Sequence, residues 1–186
     1  MKKGIRLVGM SPNPRARLTG SIYLLYFLLA ITAQFLNSHN HEQFGLAVNF
    51  IAYACYAVLT VLFYYLLKPV NRYLSLIAAF FSAIGCTIGA IGLFDAEASQ
   101  INPLLFFAPY CILIGWLIVR STFLPRILGV LMVLAGLGWL FFLSPLVKFL
   151  STYIEVLGVL GEGLLMLWLI VMGVNVQQWN KQRSDN

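Results

Sequence analysis

Six long apolar runs divide the chain: Leu18–Leu36, Gly45–Leu67, Tyr73–Phe94, Ile101–Val119, Ile127–Leu143 and Tyr153–Val174. None of them alternates apolar with polar positions as a barrel strand does, and none keeps the polar face of a helix lying on a soluble core. Each is close to the length of about 20 residues that carries a helix across a bilayer. In hydrocarbon every backbone amide must find its partner within the protein, so continuous apolar runs of this length predict spanning helices. Breakers mark the connections: Pro12 and Pro14 ahead of the first run, Pro69 after the second, Pro103 before the fourth, Pro125 before the fifth and Pro145 after it. Short loops make consecutive helices antiparallel neighbours. The pattern predicts an all-α fold: a polytopic transmembrane helix bundle of six spans, one integral membrane domain over residues 1–186.

Composition agrees. Of 186 residues, 61% are apolar and 10% charged, where soluble domains run at about 45–50% and about 25%. The mean hydropathy is +0.88. A soluble domain, a disordered tail and a disulfide-stapled secreted module are all excluded. Six spans use about 120 residues, which leaves no room for a catalytic domain outside the membrane. The basic N-terminal stretch followed by an apolar run has the outline of a signal peptide. It lacks a small-x-small cleavage site, so it is expected to stay as the first span.

The net charge of +6 is unevenly distributed. Lys2, Lys3, Arg6, Arg15 and Arg17 precede the first run, Lys68 and Arg72 flank one connection, Arg120 and Arg126 another, and Lys181 and Arg183 follow the last. Only Lys148 falls in the alternate loops, which hold Glu42, Asp95, Glu97 and Glu155. This positive-inside asymmetry predicts an N-in/C-in protein, with both termini cytoplasmic. It also replaces a nucleic-acid reading of the charge. Lys68, Arg72, Arg120 and Arg126 are expected to meet anionic lipid headgroups, at about 1 kcal/mol per side chain.

Within the apolar mass, Glu162 is the one ionisable group deep inside a run. A carboxylate there costs a few kcal/mol on insertion scales and therefore faces the bundle interior, as part of a site or as a packing lock. Counting from the outer ends of their runs, Glu162, Tyr110 and Tyr53 lie at similar depth, about 12–14 Å. Asn49 and Gln34 also belong to the outer half. These five residues predict a polar cavity open to the outer side, with Glu162 at its floor and Pro109 kinking the helix beside Tyr110. The competing reading has Glu162 hydrogen-bonded to Tyr110 or Asn49 as a lock between helices.

Other features read as packing. Cys55, Cys86 and Cys111 are odd in number, lie in apolar runs and form no C-x-x-C pair, so neither disulfides nor zinc is indicated. His39, His41 and Glu42 share a loop without a further ligand at fixed spacing, and a solvated loop outweighs a metal or haem site; no cofactor is expected. Tyr64, Tyr65, Trp116, Trp168 and Trp179 fall near the inner interface and Trp139 and Tyr153 near the outer, as an aromatic belt. Gly85 and Gly89 form a G-x-x-x-G face that could pack a helix of the same chain or a second copy, and Gly158 with Gly161 repeats the small surface. The Lys68–Arg72 and Arg120–Arg126 connections share a basic-Pro-basic pattern, which suits short cytoplasmic hairpins or an internal repeat.

Three segments, Asn13-Pro14-Arg15-Ala16-Arg17-Leu18-Thr19-Gly20, Leu67-Lys68-Pro69-Val70-Asn71-Arg72 and Gly115 through Gly129 with its Arg120-Ser121-Thr122-Phe123-Leu124-Pro125-Arg126 core, are joined by Gly161-Glu162 and Gly173-Val174-Asn175-Val176. In this order they resemble the bacterial membrane proteins grouped as domain-of-unknown-function family 4386. The resemblance implies a six-span inner-membrane protein and carries no activity. It also implies ionisable residues at the positions of Gln34, Asn49, Tyr56 and Tyr110, so this chain keeps Glu162 without those neighbours. The expected role is binding, or transport-like movement, of a small or lipidic ligand. The alternatives are a membrane-embedded enzyme acting on a lipid or isoprenoid with Glu162 as acid/base, and an accessory subunit docking through Gly85 and Gly89. Catalytic signatures are absent, so the reading leans away from an enzyme.

Overall fold

The computed structural model describes residues 11–94, 101–141, 143 and 147–184, without the side chains of 147–151. Lys2, Lys3, Arg6, Asp95, Glu97 and the side chain of Lys148 lie outside the described residues. Among the described residues seven helices follow one another: α1 (Pro12–Ser38), α2 (Glu42–Leu67), α3 (Arg72–Gly92), α4 (Leu104–Arg120), α5 (Arg126–Phe141), α6 (Val147–Val171) and α7 (Val176–Ser184). The first six coincide with the six apolar runs, and α7 was not foreseen.

The helix ends have local causes. Pro12 and Pro14 stand inside the first turn of α1, not ahead of it, because the first amides of a helix need no acceptor within it. Asn71 caps α3, its side chain accepting from the Leu74 amide at 2.9 Å. Asn102 does the same for Leu104 at the start of α4, at 3.0 Å. Gly173 takes φ +68°, which turns the chain out of α6 and toward α7. A Cβ there would overlap the Asn13 side-chain oxygen, which accepts from the Val174 amide at 3.3 Å.

Each helix packs on the next, and α6 returns to α1, so the six close a ring around one core. The closest approach is between α4 and α5. A Cβ on Gly115 would lie 2.6 Å from the Gly129 carbonyl, and one on Gly129 would lie 2.5 Å from the Gly115 carbonyl. Each glycine also faces the valine four residues along the other helix, Val133 and Val119. This reciprocal Gly-x-x-x-Val crossing lets two backbones touch without a hydrophobic driving force. The Gly85 and Gly89 faces are covered within the chain, by the Phe107 ring and the Tyr53 ring.

Leu28, Ile31, Phe80, Val159 and Val171 all point outward and are more than half exposed. An apolar exterior of this extent suits hydrocarbon. Four helices, α1, α2, α3 and the Thr152–Val171 part of α6, are long and apolar enough to cross a membrane; α4 and α5 are shorter apolar helices of 17 and 16 residues.

Candidate functional site

Two groupings of polar side chains bear on the expected site. The first is the Glu162 junction. Its Oε2 accepts from the Tyr23 hydroxyl at 2.6 Å and its Oε1 from the Trp139 indole N–H at 3.2 Å. Tyr23 is on α1, Trp139 on α5 and Glu162 on α6, so one carboxyl group ties three helices. The surroundings prepare it. Gly158 lies one turn before Glu162 on the same face, and the Trp139 ring rests against it; a Cβ there would come within 2.5 Å of the ring. Tyr23 is 1% exposed and meets Phe63 edge-on at 5.9 Å. Neither partner of Glu162 is Tyr110 or Asn49, so the lock joins other residues than expected. Trp139 is a lock residue rather than a belt residue.

The second place is a cavity of about 290 Å³ between α1, α2 and the start of α4. Asn49, Tyr53 and Asn102 bring polar groups to it, and Tyr26, Ala30, Ala52 and Phe107 line the rest together with Pro103 and Leu104. Asn49 and Tyr53 make no side-chain hydrogen bond to another described residue. Behind Phe107 the rings continue inward: Tyr26 to Tyr56 at 4.7 Å, Tyr56 to Phe107 at 5.1 Å and Tyr56 to Tyr110 at 6.0 Å. Tyr110 is 2% exposed and its hydroxyl has no hydrogen-bond partner among the described residues. Pro109 does lie inside α4 and offers no amide to the carbonyl one turn before it.

Of the five predicted cavity residues, the structure therefore brings Asn49 and Tyr53 together and puts Tyr110 in the aromatic core behind them. Glu162 is not among the cavity's walls, and Gln34 is exposed on α1. Tyr23 was missed. Its signal was the stripe Ala16, Thr19, Gly20 and Tyr23, spaced three and four residues apart on the buried face of α1.

At the other end of the bundle the distant segments quoted above converge. Arg15, 3% exposed, donates to the Tyr65 carbonyl at 3.3 Å and lies 5.8 Å from the Tyr65 and Trp179 rings. The Asn175 amide donates to the Phe123 carbonyl at 3.2 Å. The Trp179 indole donates to the Leu66 carbonyl at 2.9 Å, and Gln182 accepts from the Thr122 amide and hydroxyl. Lys68 and Arg72 line a second cavity with Arg183, whereas Arg120 lies over the Trp116 ring at 5.0 Å and is not part of that cavity, nor is Arg126.

The sequence model of the family described as Domain of unknown function (DUF4386) matches residues 29–99 and 96–173. A protein of Archaeoglobus fulgidus, described as an uncharacterized protein, is 29% identical over 122 residues, spanning 61% of this chain and 74% of its own length. No solved structure matches.

Proposed function

The chain belongs to the family described as Domain of unknown function (DUF4386), and from that premise we propose that it is a six-span bacterial inner-membrane protein, termini cytoplasmic, holding a small amphipathic ligand in the α1–α2–α4 cavity. Six spans require α4 and α5 to cross as a short pair. At 1.5 Å per residue they reach about 25 Å, against a hydrocarbon core of about 30 Å. Tightly joined helices a few ångströms short are accommodated by local thinning of the bilayer. The basic end of the bundle then faces the cytoplasm, and the cavity opens to the outer side.

The observation that carries the reading is the gathering of Asn49, Tyr53 and Asn102 at one cavity. Two amides and a phenol present both donors and acceptors. Tyr26 and Phe107 supply flat apolar walls. A volume of about 290 Å³ sits at the lower edge of the range for ligand pockets, about 300–1,000 Å³. The ligand class that fits is a small molecule with a neutral hydrogen-bonding head and a short apolar body. The Glu162 junction holds the frame around it, since both carboxyl oxygens are already engaged.

The test is gentle purification followed by mass spectrometry of co-purifying small molecules. Ala30→Phe fills the cavity, and Asn49→Leu with Tyr53→Phe removes two of its three polar side-chain groups at little change of volume. Wild type is expected to retain a defined compound that both variants lose. Retention of nothing by wild type, or equal retention by both variants, overturns the proposal.

A further inference from the structure

The basic cavity at the turn between α2 and α3, about 680 Å³ in volume, is faced by three cations, Lys68, Arg72 and Arg183, together with Tyr64, Asn71 and Tyr73. Among the described residues no acidic side chain lines it. The Lys68 ammonium lies 4.9 Å over the Tyr65 ring and the Arg183 guanidinium 5.7 Å over the Trp179 ring. Such contacts hold a cation in place without neutralising it. Arg183 comes from α7, which is itself fastened by Trp179 to the Leu66 carbonyl at the end of α2.

The same two helices continue from this cavity as an apolar groove, also about 680 Å³, between α2 and α3. One turn beyond Tyr64 stand Thr60 and Val61, and one turn beyond Tyr73 stand Leu76 and Ile77; Ala57 and Ala83 keep the trough shallow further along. Val61, Leu76 and Phe80 are 45%, 56% and 65% exposed and form its rims. The Thr60 hydroxyl is hydrogen-bonded to that of Ser82 and to the Tyr56 carbonyl, so the floor presents no unmet polar group. From Leu76 to Ala83 the groove runs about 10 Å along α3, and with the cationic seat from Arg72 about 16 Å, against about 15 Å for one leaflet of a hydrocarbon core of about 30 Å.

A cationic seat continuous with an apolar groove matches one occupant in both parts. We propose that an anionic glycerophospholipid seats its phosphate among Lys68, Arg72 and Arg183 and lays an acyl chain in the α2–α3 groove, bridging α7 to the α2–α3 hairpin. The seat needs only that this end of the bundle lie at the headgroups of a leaflet, and it is independent of the ligand cavity at the other end of α2.

Native mass spectrometry of the detergent-purified protein, offered phosphatidylglycerol and phosphatidylethanolamine with identical chains, tests this. Wild type is expected to retain phosphatidylglycerol in preference. Lys68→Gln, Arg72→Gln and Arg183→Gln are each expected to lower that preference about fivefold, whereas Arg17→Gln, exposed on α1 and outside the seat, leaves it unchanged. Ala83→Phe, on the exposed groove wall, is expected to weaken retention of both lipids, and excess inorganic phosphate is expected not to displace the bound lipid. Equal retention of the two lipids by wild type, an Arg17→Gln effect as large as that of Arg183→Gln, or undiminished retention by Ala83→Phe overturns the lipid seat. Displacement by inorganic phosphate overturns it in favour of a soluble phosphate ligand.

Discussion

Glu162→Leu removes the acceptor of two interhelical hydrogen bonds at once, and the structure sets the size of the loss. Hydrogen bonds between helices in a bilayer average about 0.6 kcal/mol and reach about 1.7. The Tyr23 bond at 2.6 Å belongs near the upper figure, because a short bond to a carboxyl oxygen is the strong kind. The Trp139 bond at 3.2 Å belongs near the lower. Their sum, with two donors left unmet, is about 2–4 kcal/mol. Tyr23→Phe removes only the stronger bond, about 1–1.7 kcal/mol. Glu162→Gln keeps one oxygen for the indole and turns an amide N–H₂ toward the tyrosine oxygen, so it is milder than Glu162→Leu. The assay is reversible unfolding in mixed micelles, arranged as a double-mutant cycle of Tyr23→Phe against Glu162→Leu. A coupling of about 1–1.5 kcal/mol is expected, because the two changes delete the same bond. Strictly additive effects would refute the three-helix lock.

Three further outcomes follow from the geometry. Gly115→Ala and Gly129→Ala each drive a methyl into the backbone of the facing helix, so each is expected to lower stability by about 1–3 kcal/mol; Gly163→Ala, with nothing within 4 Å, is expected to raise it by about 0.5–1 kcal/mol through helix propensity, both read as unfolding midpoints. Tyr110→Phe deletes a buried hydroxyl that has no partner and is expected to be neutral or stabilising by about 1 kcal/mol in ligand-free protein; a loss of that size would mean the hydroxyl is engaged. Gly173→Ala strains the turn into α7 at φ +68°, and faster amide exchange across Val176–Ser184 is the expected readout.

The six helices were legible because lipid imposes one requirement on every outward position, and an unbroken apolar run satisfies it whichever way the helix is rotated. That same uniformity hides rotation. Depth could be counted along each run, and Asn49 and Tyr53, both assigned to the outer half, line one cavity. Direction around the axis could not, so Gln34 at a suitable depth faces outward and Glu162 meets Tyr23 and Trp139 instead of Tyr110. At 3.6 residues per turn a step of one position rotates a side chain by about 100°. Helix α7 escaped for another reason: it is a short polar segment with no apolar run. Its placement rests on the left-handed Gly173, on Asn13, and on a tryptophan whose indole reaches the end of α2. The positions of Pro12 and Pro14 misplaced the start of α1 for a related reason, since a proline stops a helix from within but opens one from its first turn.

The central claim, a water-reachable cavity at the outer end of a six-span bundle whose basic end is cytoplasmic, is tested most directly by labelling from one side. In a background with Cys55, Cys86 and Cys111 replaced by alanine, Asn49→Cys and Arg183→Cys are exposed to a membrane-impermeant maleimide in intact cells and again after permeabilisation. The account predicts that Asn49→Cys reacts in intact cells and Arg183→Cys only after permeabilisation. Reaction of Arg183→Cys from outside, or an Asn49→Cys that reacts in neither state, contradicts it.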